Sequence, residues 1–180
     1  MTAGAGDREF RVEALSRQHD RASFSCGAGS LDLYLKTQAS QDMRRKANAV
    51  FVMVRADAPR QIVGYFTLCA FAVSQGAVPE AAHKHIPRYP LVSATLIGRL
   101  AVDSRYQSRG IGGALLANAL RKASENASTV GSSMVVVDAL DERAARFYEA
   151  YGFIRLADAM RLILPMQTIA GLAQGGPRGT

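Results

Sequence analysis

Leu31, Leu35, Ala39 and Met43 recur four apart and share one face of a helix predicted over Leu31–Lys46. Ser30 stands where an N-cap is expected, and Arg44, Arg45 and Lys46 suit the negative end of that helix. A short strand is predicted before it, around Phe10–Ala14. After it the pattern turns strand-like. Ala49–Arg55 and Ile62–Val73 read as an antiparallel hairpin joined by a turn at Asp57-Ala58-Pro59-Arg60. Residues 76–91 hold Pro79, Pro87 and Pro90, which argue for a loop or short helix rather than regular structure.

The second half alternates more regularly. Ser93–Val102 is a mostly apolar strand, and Ile111, Leu115, Ala119 and Ala123 line one face of a helix over Gly110–Asn126. Met134-Val135-Val136-Val137, inside Ser133–Ala139, has the unbroken apolar character of a central strand covered on both faces. Asp141–Tyr151 reads as a helix with Gly152 at its C-terminal cap, and Arg161–Pro165 as a last strand. The order β-α-β-β-loop-β-α-β-α-β predicts an α/β fold, a mixed central sheet flanked by helices. Residues 1–168 are expected to form a single domain. Residues 169–180, rich in Gly and Ala without periodicity, are expected to be a mobile tail.

Composition narrows the class. With 180 residues, 48% hydrophobic and 21% charged, the chain can bury one sizeable core and is not of the disordered type. No apolar run approaches a membrane span, and Asp7, Arg8, Glu9 and Arg11 interrupt the segment a signal peptide would need. Cys26 and Cys69 lack metal-ligand spacing and a histidine partner, so reduced packing thiols in the cytoplasm are expected. The net charge of +7 favours a polyanionic partner, although a solubility charge or bound phosphates would use it equally.

The chemistry concentrates where the strand ending at Val102 meets the next helix. Gln107-Ser108-Arg109-Gly110-Ile111-Gly112 reads Q-x-x-G-x-G and leads into the helix through Gly113. A strand, a basic turn and a helix N-terminus aim several backbone N–H groups at one point, which suits a phosphate or pyrophosphate. A glycine motif alone also serves tight turns. This one lacks the Lys-Ser/Thr ending of a nucleoside triphosphate loop and the spacing of a dinucleotide loop.

Downstream lies Asp141-Glu-Arg-Ala-Ala-Arg-Phe-Tyr148-Glu-Ala-Tyr151-Gly-Phe153. Together with Gln107–Gly112 it resembles the GNAT N-acetyltransferase family, over roughly residues 9–166. The resemblance implies that the pyrophosphate of acetyl-CoA lies on the loop of Gln107, Ser108, Arg109, Gly110, Ile111, Gly112 and Gly113. It further implies that the pantetheine arm pairs like a strand with Leu100, Ala101 and Val102. Tyr148 matches the general acid that protonates the leaving thiolate during direct transfer without a covalent intermediate. Tyrosine has a reference pKa of about 10 and is protonated at neutral pH, as that role requires. Tyr151 is expected to be a core residue. Asp141 stands where many members have Asn, which leaves its cofactor contact open while still suiting a helix cap. No metal is implied.

Within the family the chain is similar to the toxin branch of toxin–antitoxin pairs. The likeness rests on Phe24-Ser25-Cys26-Gly27 before Ser30-Leu31-Asp32-Leu33-Tyr34-Leu35, on Val63-Gly64-Tyr65-Phe66-Thr67-Leu68, on Pro87-Arg88-Tyr89-Pro90 and on Gly98–Asp103. Such enzymes acetylate the amino group of aminoacyl-tRNA and so block translation. The resemblance implies a ribbon-helix-helix antitoxin that covers the active site, and a homodimer. A terminal α-amine, with a pKa of about 7.7–8.0, needs no strong base to attack. No carboxylate or histidine stands out as such a base; His83 and His85 read as surface residues. Arg88 and Arg99 are candidate substrate contacts, with ordinary ion pairing as the alternative for each. Two rival functions remain at this level: acetylation of a small amine or a protein N-terminus, and a catalytically silent cofactor-sensing or regulatory subunit.

Overall fold

The computed structural model describes residues 9–157 and 160–174. Strand β2 (Ala49–Arg55) turns through Ala56 and Asp57 into the long β3 (Ala58–Ser74), and the two pair antiparallel from Ala49↔Leu68 to Arg55↔Ala58. This turn is tighter than the predicted connection at residues 57–60. Arg55 grips the Asp57 carboxylate at 2.8 and 2.5 Å, and the register slips on both sides of Val54. Pro59 falls within that irregularity, where its missing N–H costs no ladder bond.

Strand β1 (Phe10–Ala14) pairs antiparallel on the far side of β2. With β4 (Leu91–Val102), β5 (Met134–Asp138), β6 (Ile154–Arg155) and β7 (Arg161–Pro165), the seven-stranded sheet has the order β1-β2-β3-β4-β5-β7-β6. It is mixed, because β4 and β5 run parallel while β5–β7 and β6–β7 are antiparallel. A parallel pair requires a crossover, supplied here by α3 (Ile111–Ala127). The expected mixed sheet with flanking helices is the observed architecture.

Two predicted elements change. The single helix over residues 31–46 is instead α1 (Gly29–Thr37) and α2 (Ala39–Arg44), separated at Gln38, whose φ of −119° is far from the usual helical value of about −63°. Ser30 is not the cap; α1 begins after Ala28, which has no side-chain cap bond. Left-handed Gly27 (φ 89°) turns the chain in, and Asp32 accepts the Cys26 N–H at 2.9 Å. The expected tail is helical at its start. After α4 (Glu142–Ala150), α5 covers Met166–Gln174, entered by a Met166 N–H bond to the Ser133 carbonyl at 2.9 Å. Buried Ile169 gives α5 an apolar anchor that the Gly/Ala composition conceals. The rest of the expected tail, residues 175–180, lies outside the described residues.

The chain divides into two compact units, Met1–Cys69 with Arg99–Ala119 and Ala70–Gly98 with Leu120–Thr180. In the first, Leu35 and Ala39 pack with Phe24, Val50, Val52, Ile62 and Tyr65 on one face of β2 and β3. On the opposite face Gly64 admits close approach: a Cβ there would lie 2.9 Å from the Ala101 carbonyl oxygen and 3.1 Å from Leu115 Cδ2. In the second unit Val73, Val92, Ala94, Met134, Val136 and Ile163 form the core. Each fully buried aliphatic side chain of this kind contributes about 1.5–3 kcal/mol.

Candidate active site

The loop from β4 to α3 is anchored before it reaches the glycines. Asp103 is only 1% exposed. Its carboxylate accepts from the Ser25 amide at 3.2 Å, the Arg105 amide at 2.9 Å, and the Arg105 guanidinium at 2.8 and 3.1 Å. Burial pushes its pKa up, but Arg105 and these amides prevail and hold it below the usual carboxylate value. Gln107 adds a second brace. Its side-chain amide donates to the carbonyls of Cys26 at 2.9 Å and Val102 at 3.0 Å.

Beyond that brace the chain is exposed from Gln107 to Gly110. Ser108 and Gly110 take left-handed conformations, with φ 63° and 77°, of the kind in which successive amides form an anion-binding hollow. The Ala114 N–H bonds to the Gly110 carbonyl at 3.2 Å and closes the first turn of α3. The amides of Ile111, Gly112 and Gly113 therefore belong to the opening turn and have no intrahelical acceptor. Arg109 keeps its guanidinium carbon 5.6 Å from the centroid of the Tyr106 ring. These donors, at the positive end of a 17-residue helix, fit the pyrophosphate of a nucleotide cofactor.

Strand β4 has matching room. Its ladder with β5 runs from Ala94↔Met134 only as far as Ile97↔Val137, while β4 itself continues to Val102. Leu100, Ala101 and Val102 thus extend past the pairing, which suits an extended, amide-containing arm added as a further strand.

In the second unit, Asp141 caps α4 by accepting the Ala144 N–H at 2.8 Å, as its position at the helix start predicts. Tyr148, 6% exposed, lies on the buried side of that helix. It packs edge-on against Phe147 and Phe153 at 5.2 and 5.5 Å between centroids. Burial pushes its phenol up to about 12. Arg155 joins the two ends of α4, donating to Glu142 at 2.8 and 3.0 Å and to Glu149 at 3.0 Å. Tyr151, expected in the core, is instead 46% exposed. It stands at the C-cap of α4, past the last buried turn, with its ring 5.1 Å from that of Phe147.

Of the two candidate substrate arginines, Arg88 is exposed in the segment before β4. Arg99 is half-buried on β4 with its guanidinium carbon 3.5 Å above the Tyr34 ring. No carboxylate lies within ion-pair distance of it among the described residues. Tyr34 is fixed in turn, since its hydroxyl donates to Asp42 at 2.9 Å and its ring stacks on Tyr65. Sequence reasoning missed Tyr34 and Asp103 as positioning residues. Both fall in segments that carry the toxin-branch likeness, but a tyrosine on α1 and an Asp after β4 show no local sign of a positioning role.

The remaining candidates are quiet. His83 is exposed and shares a 2.8 Å hydrogen bond with the Val78 carbonyl, and His85 is half-exposed. Cys26 and Cys69 are half-buried free thiols; burial first, then Asp32, pushes Cys26 up to about 11, which keeps it an unreactive thiol. Among the described residues no helix is long and apolar enough to cross a membrane, and no three metal-ligating side chains cluster.

The model of the GNAT acetyltransferase domain matches residues 47–155. A "tRNA-acetylating toxin" of Mycobacterium tuberculosis is 31% identical, covering 88% of this chain and 93% of that protein. The solved structure of AtaT complexed with acetyl-methionyl-tRNAfMet is 31% identical, with a TM-score of 0.84, covering 92% of this chain and 100% of that one. A Tyr-to-Phe variant of AtaT, solved with the C-terminus of its antitoxin AtaR and acetyl-CoA, is 28% identical with a TM-score of 0.79, covering 93% and 99%.

Proposed function

Because the chain belongs to the GNAT acetyltransferase family, we propose that it moves acetyl from acetyl-CoA to the amino group of an aminoacyl-tRNA and so blocks translation as a toxin. The observation that carries this reading is the near full-length likeness to AtaT, which was solved with acetyl-methionyl-tRNA.

Acetyl-CoA supplies the acyl group already activated as a thioester. The chain would hold its pyrophosphate on the amides of Ser108, Arg109, Gly110, Ile111, Gly112 and Gly113, within the loop that Gln107 and Asp103 brace. The stretch Leu100, Ala101 and Val102, which extends past the ladder with β5, would pair with the pantetheine arm. Arg99 and Arg88 are assigned to the acceptor, and Asp141 to a contact with the cofactor. The α-amine attacks the thioester carbonyl as its neutral form, abundant near a pKa of about 7.7–8.0.

Tyr148 donates its proton to the departing sulfur. With the phenol near 12, a free phenolate would be unstable beside a thiol of reference pKa about 8.5. The proton lost by the attacking nitrogen therefore returns to the phenol oxygen, so the phenolate never accumulates. The amide bond forms, the carbon–sulfur bond breaks, and the thiol leaves with the transferred proton.

The reading includes an antitoxin partner, since AtaT is found with the C-terminus of AtaR. It extends to a ribbon-helix-helix antitoxin, a homodimer, cytoplasmic action, and residues 1–168 as one catalytic domain. The test is incubation of the full chain with labelled acetyl-CoA and total charged tRNA, beside deacylated tRNA. Label on charged tRNA alone is expected. Equal label on both, or none on either, refutes the assignment of the acceptor.

A further inference from the structure

An open cleft of about 1180 Å³ in the first unit is lined by residues 19–23, Lys36, residues 58–61 and Arg105. Small-molecule pockets ordinarily enclose about 300–1,000 Å³, so this one is wide for a compact ligand and roomy enough for a chain. Its charge is lopsided. Arg21, Lys36, Arg60 and Arg105 line it beside a single carboxylate, Asp20.

Arg105 is neutralised by Asp103 at 2.8 Å. The other three cations have no carboxylate within ion-pair distance among the described residues, whereas Arg11, Arg55, Arg155 and Arg161 each do. Arg21 donates to the Ser40 hydroxyl at 2.5 Å, which fixes its direction without cancelling its charge. Asp20 is occupied by the Ser23 hydroxyl at 2.6 Å; Ser23 first and Arg60 more distantly hold it below its usual value. Lys36 and Arg60 are exposed.

Lining a cleft with more cations than carboxylates costs self-repulsion, and a polyanion relieves it. Phosphodiester backbones are bound in this way, by Lys and Arg without regard to base sequence. We propose that the cleft framed by Arg21, Lys36 and Arg60 is a docking groove for the phosphodiester backbone of the tRNA acceptor. This rests on the aminoacyl-tRNA reading above and adds where the body of the RNA is gripped. An RNA gripped by its backbone is selected as a large polyanion, and not by its small reacting amine alone.

The test uses the full chain with Lys36→Glu and Arg60→Glu made separately, leaving Arg21 and its Ser40 bond intact. Binding of fluorescent deacylated tRNA is followed by anisotropy across a salt series, so no turnover is needed. Each reversal is expected to weaken binding about tenfold and to reduce the slope of log affinity against log salt by about one or more. Acetyl-CoA affinity by calorimetry should stay at the wild-type value. Unchanged RNA affinity and salt slope overturn the proposal. So does weakened acetyl-CoA binding with dephospho-CoA unaffected, which would give the groove to the cofactor's 3′-phosphate. Melting curves check folding, and Lys36→Ala and Arg60→Ala replace any reversal that lowers stability. A wild-type chain that fails to acetylate charged tRNA refutes the earlier assignment, while the anisotropy series still decides this one.

Discussion

Arg99 sits over Tyr34, its guanidinium carbon 3.5 Å from the ring centroid, and the tyrosine hydroxyl is tied to Asp42 at 2.9 Å. A guanidinium so placed keeps its in-plane N–H donors for another group while the ring supports its face. Arg99→Ala is expected to raise KM for charged tRNA about tenfold or more while leaving acetyl-CoA affinity alone. Tyr34→Leu, which removes the support and keeps Arg99, should shift KM in the same direction by less. Steady-state kinetics on both variants check this; an unchanged KM in Arg99→Ala removes the residue from the acceptor site.

Tyr148→Phe keeps the aromatic contacts with Phe147 and Phe153 and deletes only the acid. A positioned general acid is worth about 10²–10⁴-fold, so kcat should fall at least about a hundredfold with acetyl-CoA binding unchanged. The pH profile separates the groups. Rate should rise with pH as the acceptor amine loses its proton near about 8, and the protonated phenol should be lost only near 12. A falling limb centred near pH 9 would show a different acid at work.

Gly112 lies in the opening turn of α3, among amides with no intrahelical acceptor. A bulky side chain in that turn is expected to crowd the approach of a phosphate to those donors. Gly112→Leu should weaken acetyl-CoA binding by about tenfold or more in calorimetry, with a smaller effect on melting temperature. Wild-type affinity in this variant would leave the loop as a structural turn.

Much of this was legible in the chain itself. The valine run at 135–137 and the apolar period of α3 identify the parallel β4–α3–β5 unit, and Q-x-x-G-x-G marks the loop that follows its first strand. The helix break at Gln38 was hidden, because the apolar spacing of Leu35, Ala39 and Met43 runs through it unbroken. Tyr151 misled for a related reason, since periodicity places it on α4 whereas the helix has already ended at Ala150. The groove around Lys36 and Arg60 is invisible to any local pattern. Its cations come from three separate segments, and only the fold shows which basic residues lack a carboxylate.

Gly64 tests how tightly β4 and α3 are set against β3. An added methyl would meet a backbone oxygen at 2.9 Å and Leu115 at 3.1 Å, and the backbone oxygen cannot swing aside. Overpacking of this kind costs about 1–3 kcal/mol. Gly64→Ala is expected to lose that much in urea unfolding, with activity falling further as the strand bearing Leu100–Val102 is pushed outward. Leu115→Ala combined with it should relieve only the side-chain part of the clash.

Asp103 carries the pH dependence of the loop. Its folded pKa lies below the ordinary carboxylate value of about 3.9, so its contribution to stability is fully present above that value. The contribution is lost as pH falls through the folded pKa, when the proton displaces Arg105 and the amides of Ser25 and Arg105. Asp103→Asn removes the charge and turns an N–H₂ toward those donors, at a cost of about 2–3 kcal/mol near neutrality. Melting temperatures of variant and wild type should therefore differ most at pH 6–8 (about the plateau of the ionised state) and converge once the medium is more acidic than the ordinary Asp range. A gap that persists unchanged in acid would mean that the carboxylate shape, and not its charge, holds the loop.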